Sequence, residues 1–460
     1  MRIPALSLLF ASYFFLAGCG HPLVSQTLRE PWNAGFWFWQ GSSSEVLTRA
    51  SLDVLYVHVG SIQKDRPFQV RKSESNQPWH AYAQIPEQMP TARQYWIVFR
   101  FEQEGVPDSE ATLPLANAIA RLQSDAARRH LTLAGVQLDI DSPTSKLRDY
   151  ASFLHELRKK LPPGFQISIT SLLDWFRTGT AIEDVVKEVD EFVPQFYDVA
   201  DRDPYHEQVF LAKKIETEEW RPRFERFHKR FRIGVSTFGR ARYAPIHPVS
   251  RNGYAVVSFL RDVEPADFAF NPAFTLQTAR NDAGEQLLTY RASRKTQVGY
   301  NNFEVGDGVE FTIPTQEGVR AAVESARKMG NYCAGVVFFR WPTGTQGIAM
   351  APDDVMAAAD PAVRTKPSLT VQTVRGSCAA VHCMDVYLVN PPVRSPTAHQ
   401  YAIRSSSPLE YFLPEGKVPV RLSDASLLDL SLPAFSGRSR MFLGRAVSLM
   451  PTEFTIQEQP

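Results

Sequence analysis

The sequence predicts an α/β fold: a (β/α)8 TIM barrel with an insertion after strand 7, followed by a small all-β, sandwich-like C-terminal domain. Three observations carry this expectation. Eight short apolar runs alternate with helical stretches between residues 34 and 345, the order expected of a parallel sheet with crossover helices. Several of these runs are nearly continuous in Val, Ile, Leu and Phe, as strands buried on both faces require. Beyond about residue 360 the alternation gives way to short β candidates separated by Pro-, Gly- and Ser-containing turns. A doubly wound open sheet is the structural competitor, but no GxGxxG motif follows an early strand.

The chain begins MRIPALSLLFASYFFLAGCG, with one cation at Arg2 and an apolar run from Leu6 to Ala17. That run is too short to span a bilayer and ends in small residues, the pattern of a secretory signal over residues 1–18. Leu16-Ala17-Gly18-Cys19 resembles the bacterial lipobox, which implies lipidation (palmitate) at Cys19 and attachment to a membrane surface. An ordinary secretory signal with an incidental cysteine is the alternative. Gly20 is not the aspartate that resembles an inner-membrane retention signal, so the expected location is the outer membrane, facing the periplasm. A polar leader over 19–33 follows.

The eight strand candidates are AGFWFW (34–39), LDVLYVHV (52–59), YWIVFRF (95–101), LAGVQLDI (133–140), FQISITSL (165–172), EFVPQFY (191–197), FRIGVSTF (231–238) and AGVVFFRW (334–341). Between them, apolar residues recur with a period near 3.6 at Leu113, Leu115, Ala118, Ile119 and Leu122, and again at Leu147, Tyr150, Ala151, Leu154, Leu157 and Leu161. The second helix stops at Pro162-Pro163-Gly164. Ile182, Val185, Val186 and Val189 mark a third helix, and Val319, Ala322, Val323 and Ala326 a fourth, closed by Gly330. The interval of about 240–313 is too long for a loop, and Asn281-Asp282-Ala283-Gly284 between β-rich segments predicts a hairpin inside it. Residues 360–460 form the predicted β-domain, in which Cys378 and Cys383 are spaced for a disulfide that an oxidising compartment permits. Cys333 opens an apolar run and reads as a buried thiol.

Composition narrows the partners. The 460 residues carry 50 Lys plus Arg against 49 Asp plus Glu. Removal of residues 1–18 takes away Arg2 alone, leaving equal numbers of each sign. Nucleic acid is therefore not an expected partner. Clustered metal-ligand spacings, a GxSxG elbow and a P-loop are all absent from the sequence, so no metal or cofactor is expected. The basic runs at 158–160 and 221–232 read as solvated helix faces.

Active sites of such barrels lie at the C-terminal strand ends. The fourth strand ends Gln137-Leu138-Asp139-Ile140-Asp141, and alternation turns Gln137, Asp139 and Asp141 inward. Two stacked carboxylates repel unless one is protonated or hydrogen-bonded, and a protonated member can donate near neutral pH. The competing assignment makes Asp139 a hydrogen-bonded barrel residue and Asp141 a helix cap. The sixth strand ends Gln195-Phe196-Tyr197-Asp198 and the eighth Phe339-Arg340-Trp341. Trp37, Trp39, Tyr56, His58, Trp96 and Trp175 lie in or just after strands, where aromatic rings can stack on sugars.

At these positions the chain resembles the family 18, chitinase-like glycoside hydrolases. Their fourth-strand motif D-G-x-D-x-D-x-E falls on residues 134–141, their M-x-Y-D on Gln195-Phe196-Tyr197-Asp198, and their eighth-strand tryptophan on Trp341. The resemblance implies Asp141 as general acid, Asp139 as its neighbour, and Tyr197 with Asp198 as a pair that positions the substrate. Asp141 stands where that family has Glu, one methylene longer, and Gln137 replaces a motif aspartate. Over about residues 34–341 the chain also resembles a bacterial family known as a domain of unknown function, number 3142, in Gly-Val-Gln-Leu-Asp-Ile-Asp, Arg-Asp-Tyr and Leu-Pro-Pro-Gly. Two readings follow. One is an envelope-anchored glycoside hydrolase with Asp141 as acid. The other is a carbohydrate-binding or scaffold barrel without catalysis.

Overall fold

The computed structural model describes residues 32–39, 52–65, 78–103, 105–197, 199–200, 210–246, 250–251, 254–255, 258–260, 263–269, 271–342, 348–350, 352–360, 369–389, 399–416, 418–432 and 440–459. The segment expected to be a signal (1–18), Cys19 and Asp198 lie outside them.

Eight parallel strands close into a barrel: β1 (Asn33–Phe38), β2 (Leu52–Lys64), β3 (Ala92–Phe101), β4 (Leu133–Ile140), β5 (Gln166–Ser171), β6 (Glu191–Pro194), β7 (Arg230–Ser236) and β8 (Cys333–Phe339). Each strand pairs with its neighbours in sequence, and β1 pairs with both β8 and β2, so the ring has no open edge. Each coincides with one of the eight apolar runs. Alternation splits their side chains into two layers. Phe36, Phe38, Val57, Ile97, Phe99, Leu138, Ile169, Phe192 and Phe338 point outward into the core shared with the helices. Trp37, Val54, Tyr56, Trp96, Val98, Val193, Tyr197 and Val337 fill the interior.

The surrounding helices are α1 (Thr112–Arg128), α2 (Leu147–Arg158), α3 (Ile182–Lys187), α4 (Thr217–Glu225), α5 (Gln316–Arg327) and α6 (Pro352–Ala359). Leu115, Ala118, Ile119 and Leu122 of α1 and Leu147, Tyr150, Ala151, Leu154 and Leu157 of α2 are buried as their spacing predicts, whereas Leu113 in the first turn of α1 is exposed and Leu161 is buried just past the end of α2. Thr315 caps α5, its hydroxyl accepting from the Gly318 amide at 3.0 Å. The βα alternation departs from its ideal between β2 and β3. There β2 runs on past the barrel as an arm, paired with the antiparallel strand Trp79–Ala83. The run at 221–232 is also divided differently from its reading as a solvated face. Arg221 and Arg223 lie on α4, whereas Arg230 and Arg232 belong to β7 and turn inward.

After β7 comes an antiparallel five-stranded sheet in the order Ser258–Leu260, Arg240–Ala244, Gly308–Ile313, Gln286–Ala292 and Phe274–Arg280. Its own core holds Phe268, Leu288, Tyr290, Phe303, Val309 and Phe311. The Asn281–Gly284 turn joins two of its strands, with Asn281 Oδ1 accepting from the Glu285 amide at 2.8 Å and Gly284 at φ 80°. The C-terminal part consists of two four-stranded antiparallel sheets around Val386, Leu388, Ile403, Leu428, Leu430 and Leu443. Cys378 and Cys383 form a disulfide there, with Cα atoms 6.0 Å apart, and Cys333 is a buried free thiol. Among the described residues no helix is long and apolar enough to cross a membrane, and no cluster of His, Cys, Asp and Glu could hold a metal.

Candidate functional site

The barrel interior carries two polar layers. The deeper one centres on Glu191 at the start of β6, which is 1% exposed. Its carboxylate accepts from Tyr56 Oη at 2.5 Å, from Arg232 Nε at 2.9 Å and from Ser168 Oγ at 3.2 Å, and Arg230 Nε lies 2.9 Å away. Gln137 extends this layer: Trp37 Nε1 donates to its Oε1 at 2.6 Å, and its Nε2 donates to Ser168 Oγ at 3.1 Å. Burial, and after it the Glu191 carboxylate, pushes the Tyr56 phenol well above its ordinary pKa, so it remains a donor. Desolvation opposes the Arg232 cation, but the Glu191 carboxylate 2.9 Å away, by charge and by hydrogen bond, keeps the guanidinium charged.

The upper layer lies at the C-terminal strand ends. Asp139 is buried, and it accepts from Arg100 Nη1 at 2.7 Å and from Thr170 Oγ1 at 2.8 Å. Asp141 is half-exposed, with its Oδ2 3.8 Å from Arg100 Nη2. A cation placed between the two carboxylates therefore offsets the repulsion that the sequence suggested a proton would relieve. Desolvation works against the Arg100 charge, and Asp139 and Asp141 together more than restore it. Asp139 is thus a hydrogen-bonded barrel residue. The short helix that follows has Pro143 at its N-cap position and no side-chain cap, so Asp141 does not cap it.

His58 stands beside this group, stacked on Trp39 at 4.3 Å, and Arg100 lies over the same Trp39 ring at 5.5 Å. Burial lowers the His58 pKa to about 4 against the pull of Asp139, so the ring is neutral at physiological pH. Phe339 at the end of β8 stacks on Tyr197 at 4.7 Å, and Tyr197 meets the Trp37 edge at 5.9 Å.

Of the residues singled out in the sequence, Gln137, Asp139, Asp141, Tyr197 and Trp37 come together in or above the barrel interior. Gln195 follows β6 and pairs with Gly234 of β7 through an isolated bridge. Trp341 and Trp175 take other places. Trp341 is fully buried against Phe36 and Phe38 in the outer, strand-to-helix layer, since β8 ends at Phe339 and its alternation does not carry on to position 341. Trp175 follows β5, packs on Tyr150 of α2 and donates to the Ser142 carbonyl at 2.9 Å. Neither tryptophan presents a ring at the mouth; Phe339 and Trp39 do. Arg100, Thr170, Ser168 and Glu191 were missed. The alternation Trp96, Val98, Arg100 in YWIVFRF already turns Arg100 inward at a strand end, and that signal was available.

Residues 93–252 match the family described as Domain of unknown function (DUF3142). The matched segment contains Arg100, Gln137, Asp139, Asp141, Glu191, Gln195, Tyr197 and Arg232. No curated protein matches the chain. Among solved structures, the chain is similar to a chitinase from Chromobacterium violaceum (13% identity, TM-score 0.43, 71% of this chain and 98% of that one). It is also similar to the spore cortex-lytic enzyme SleL of Bacillus cereus (12%, 0.41, 72% and 74%) and to the chitinase-like agglutinin RobpsCRA of Robinia pseudoacacia (12%, 0.39, 71% and 99%).

Proposed function

We propose that the C-terminal mouth of the barrel is a carbohydrate-binding cleft of glycoside-hydrolase type, in which the Arg100–Asp139–Asp141 group fixes sugar hydroxyls and the Trp39 and Phe339 rings meet sugar faces. The observation that carries this reading is Arg100 set between the two carboxylates. An ion pair with a half-exposed end offers acceptors and donors in fixed directions, as recognition of hydroxyls requires. It is a poorer arrangement for proton donation, which needs a carboxyl that keeps its proton. Hydrolysis with Asp141 as general acid is the second reading. It is favoured by the half-exposed position of Asp141 just past the end of β4, where barrel enzymes place their chemistry. The further part of the proposal is that the chain is an envelope lipoprotein held through Cys19 in the outer membrane, facing the periplasm.

The test is a glycan panel presented to the mature chain, scored for binding and for product release, with Asp141→Asn in parallel. Binding without release, weakened roughly tenfold or more by the substitution, supports the cleft as a recognition site. Release abolished by Asp141→Asn establishes the hydrolase. A panel with neither outcome overturns both. Anchoring is tested by incorporation of a labelled fatty acid, which Cys19→Ala must abolish.

A further inference from the structure

We infer that the arm beyond the barrel supplies a second, distal sugar platform at Tyr82, so that the cleft recognises an oligosaccharide rather than a single sugar; this rests on the carbohydrate reading of the mouth. The argument starts from register. Asp139 of β4 pairs with Arg100 of β3, Arg100 with Ser61 of β2, and Ser61 with Tyr82 of the arm. Side chains directly opposite one another across neighbouring strands share a face. Tyr82, Ser61, Arg100 and Asp139 therefore form one continuous row that runs out of the mouth along the sheet. Three strand spacings of about 4.8 Å place Tyr82 about 14 Å along the sheet from Asp139. One monosaccharide cannot bridge that span, and a short oligosaccharide can.

The arm holds this ring firmly in place. Its other face, Ile62 and Trp79, is buried in the outer core of the barrel. Lys64 pairs with Asp108 at 2.9 Å and lies over the Trp79 ring. Gly60 allows the two strands to approach, since a Cβ there would sit 1.7 Å from the Tyr82 carbonyl oxygen. On the mouth face His80, tied to Asp65 at 2.8 Å, stacks on Tyr82 at 5.7 Å. Gln63 donates to Ser61 at 2.9 Å alongside them. Tyr82 itself is 61% exposed. A large, preset aromatic face flanked by amide and hydroxyl groups, in line with charged hydroxyl-binding groups, has the chemistry of a sugar platform.

The experiment titrates the full mature chain with oligosaccharides of two to six units in N-acetylglucosamine, glucose and galacturonate series, comparing wild type with Tyr82→Ala and Tyr82→Trp. In the series that binds, wild-type affinity should rise with length, and Tyr82→Ala should remove that rise, weakening the long members roughly three- to tenfold and leaving the shortest unchanged. Tyr82→Trp should retain the rise. Equal losses at every length, or no loss at any, overturn the platform while leaving the mouth reading intact. Failure of the wild type to bind any member of the three series overturns the carbohydrate reading itself.

Discussion

Glu191→Gln tests whether the barrel is held together at its centre by a charged pair. The carboxylate is 1% exposed, and Arg232, which donates to it at 2.9 Å, is fully buried. Arg230 lies 2.9 Å from the same oxygen with only part of its side chain in water. Glutamine keeps the shape, and its carbonyl can still accept from Tyr56, so little packing changes. What disappears is the negative charge that balances a desolvated guanidinium. Removal of one member of such a buried pair costs about 3–5 kcal/mol, because the remaining charge has no partner. Among the described residues the buried Nη2 of Arg232 has no hydrogen-bond partner, so the pair is incompletely satisfied even in the native chain. Adding Arg232→Met to Glu191→Gln should therefore recover most of the loss. The assay is urea denaturation of the full chain, followed by near-UV circular dichroism from the interior tryptophans. A loss below about 1 kcal/mol for Glu191→Gln, or a double variant as unstable as the sum of its singles, would refute the reasoning.

Two further outcomes follow from other positions. His58 takes up its proton near pH 6.5 when unfolded and only near pH 4 when folded. Stability present above pH 6.5 is then lost as pH falls through that interval, by at most about 3–4 kcal/mol for a difference of this size. A melting-temperature series in pH should show this slope, and His58→Phe should flatten it; an unchanged slope would remove His58 as its cause. Gly60→Ala forces a Cβ onto the Tyr82 carbonyl and should detach the arm, raising proteolysis between β2 and β3 while the barrel's near-UV spectrum persists. Protease resistance equal to wild type would show that the arm does not depend on this close approach.

The barrel was legible in the sequence because parallel strands buried on both faces must be apolar nearly throughout, and in this chain little else is. All eight strands could be read for that reason, and the helices α1, α2 and α5 from their 3.6 period. The α4 helix shows in the sequence only as the charged face of the run at 221–232, without bounds, since only Trp220 and Phe224 of its nine residues are buried and charged residues hide so sparse a stripe. The arm escaped for a related reason. Its strand Trp79–Ala83 buries one face only and has no apolar run to announce it. At the site, alternation along β4 turns Gln137 and Asp139 inward as read, whereas Asp141 lies one residue past the strand, half-exposed beside Arg100. It failed at Trp341, where position in a motif was allowed to override the strand's own period. Phe339 points inward, so a residue two further on would do the same only if the strand continued, and it ends at Phe339. Applied to every strand, the same period finds Arg100, whose place on β3 decides the electrostatics of the mouth. The ion pair and the distal ring then belong to one pattern. The row that brings Arg100 against Asp139 also carries Ser61 and Tyr82, so the register of β2, β3 and β4 fixes both the polar centre of the cleft and the direction in which a chain-like ligand would leave it.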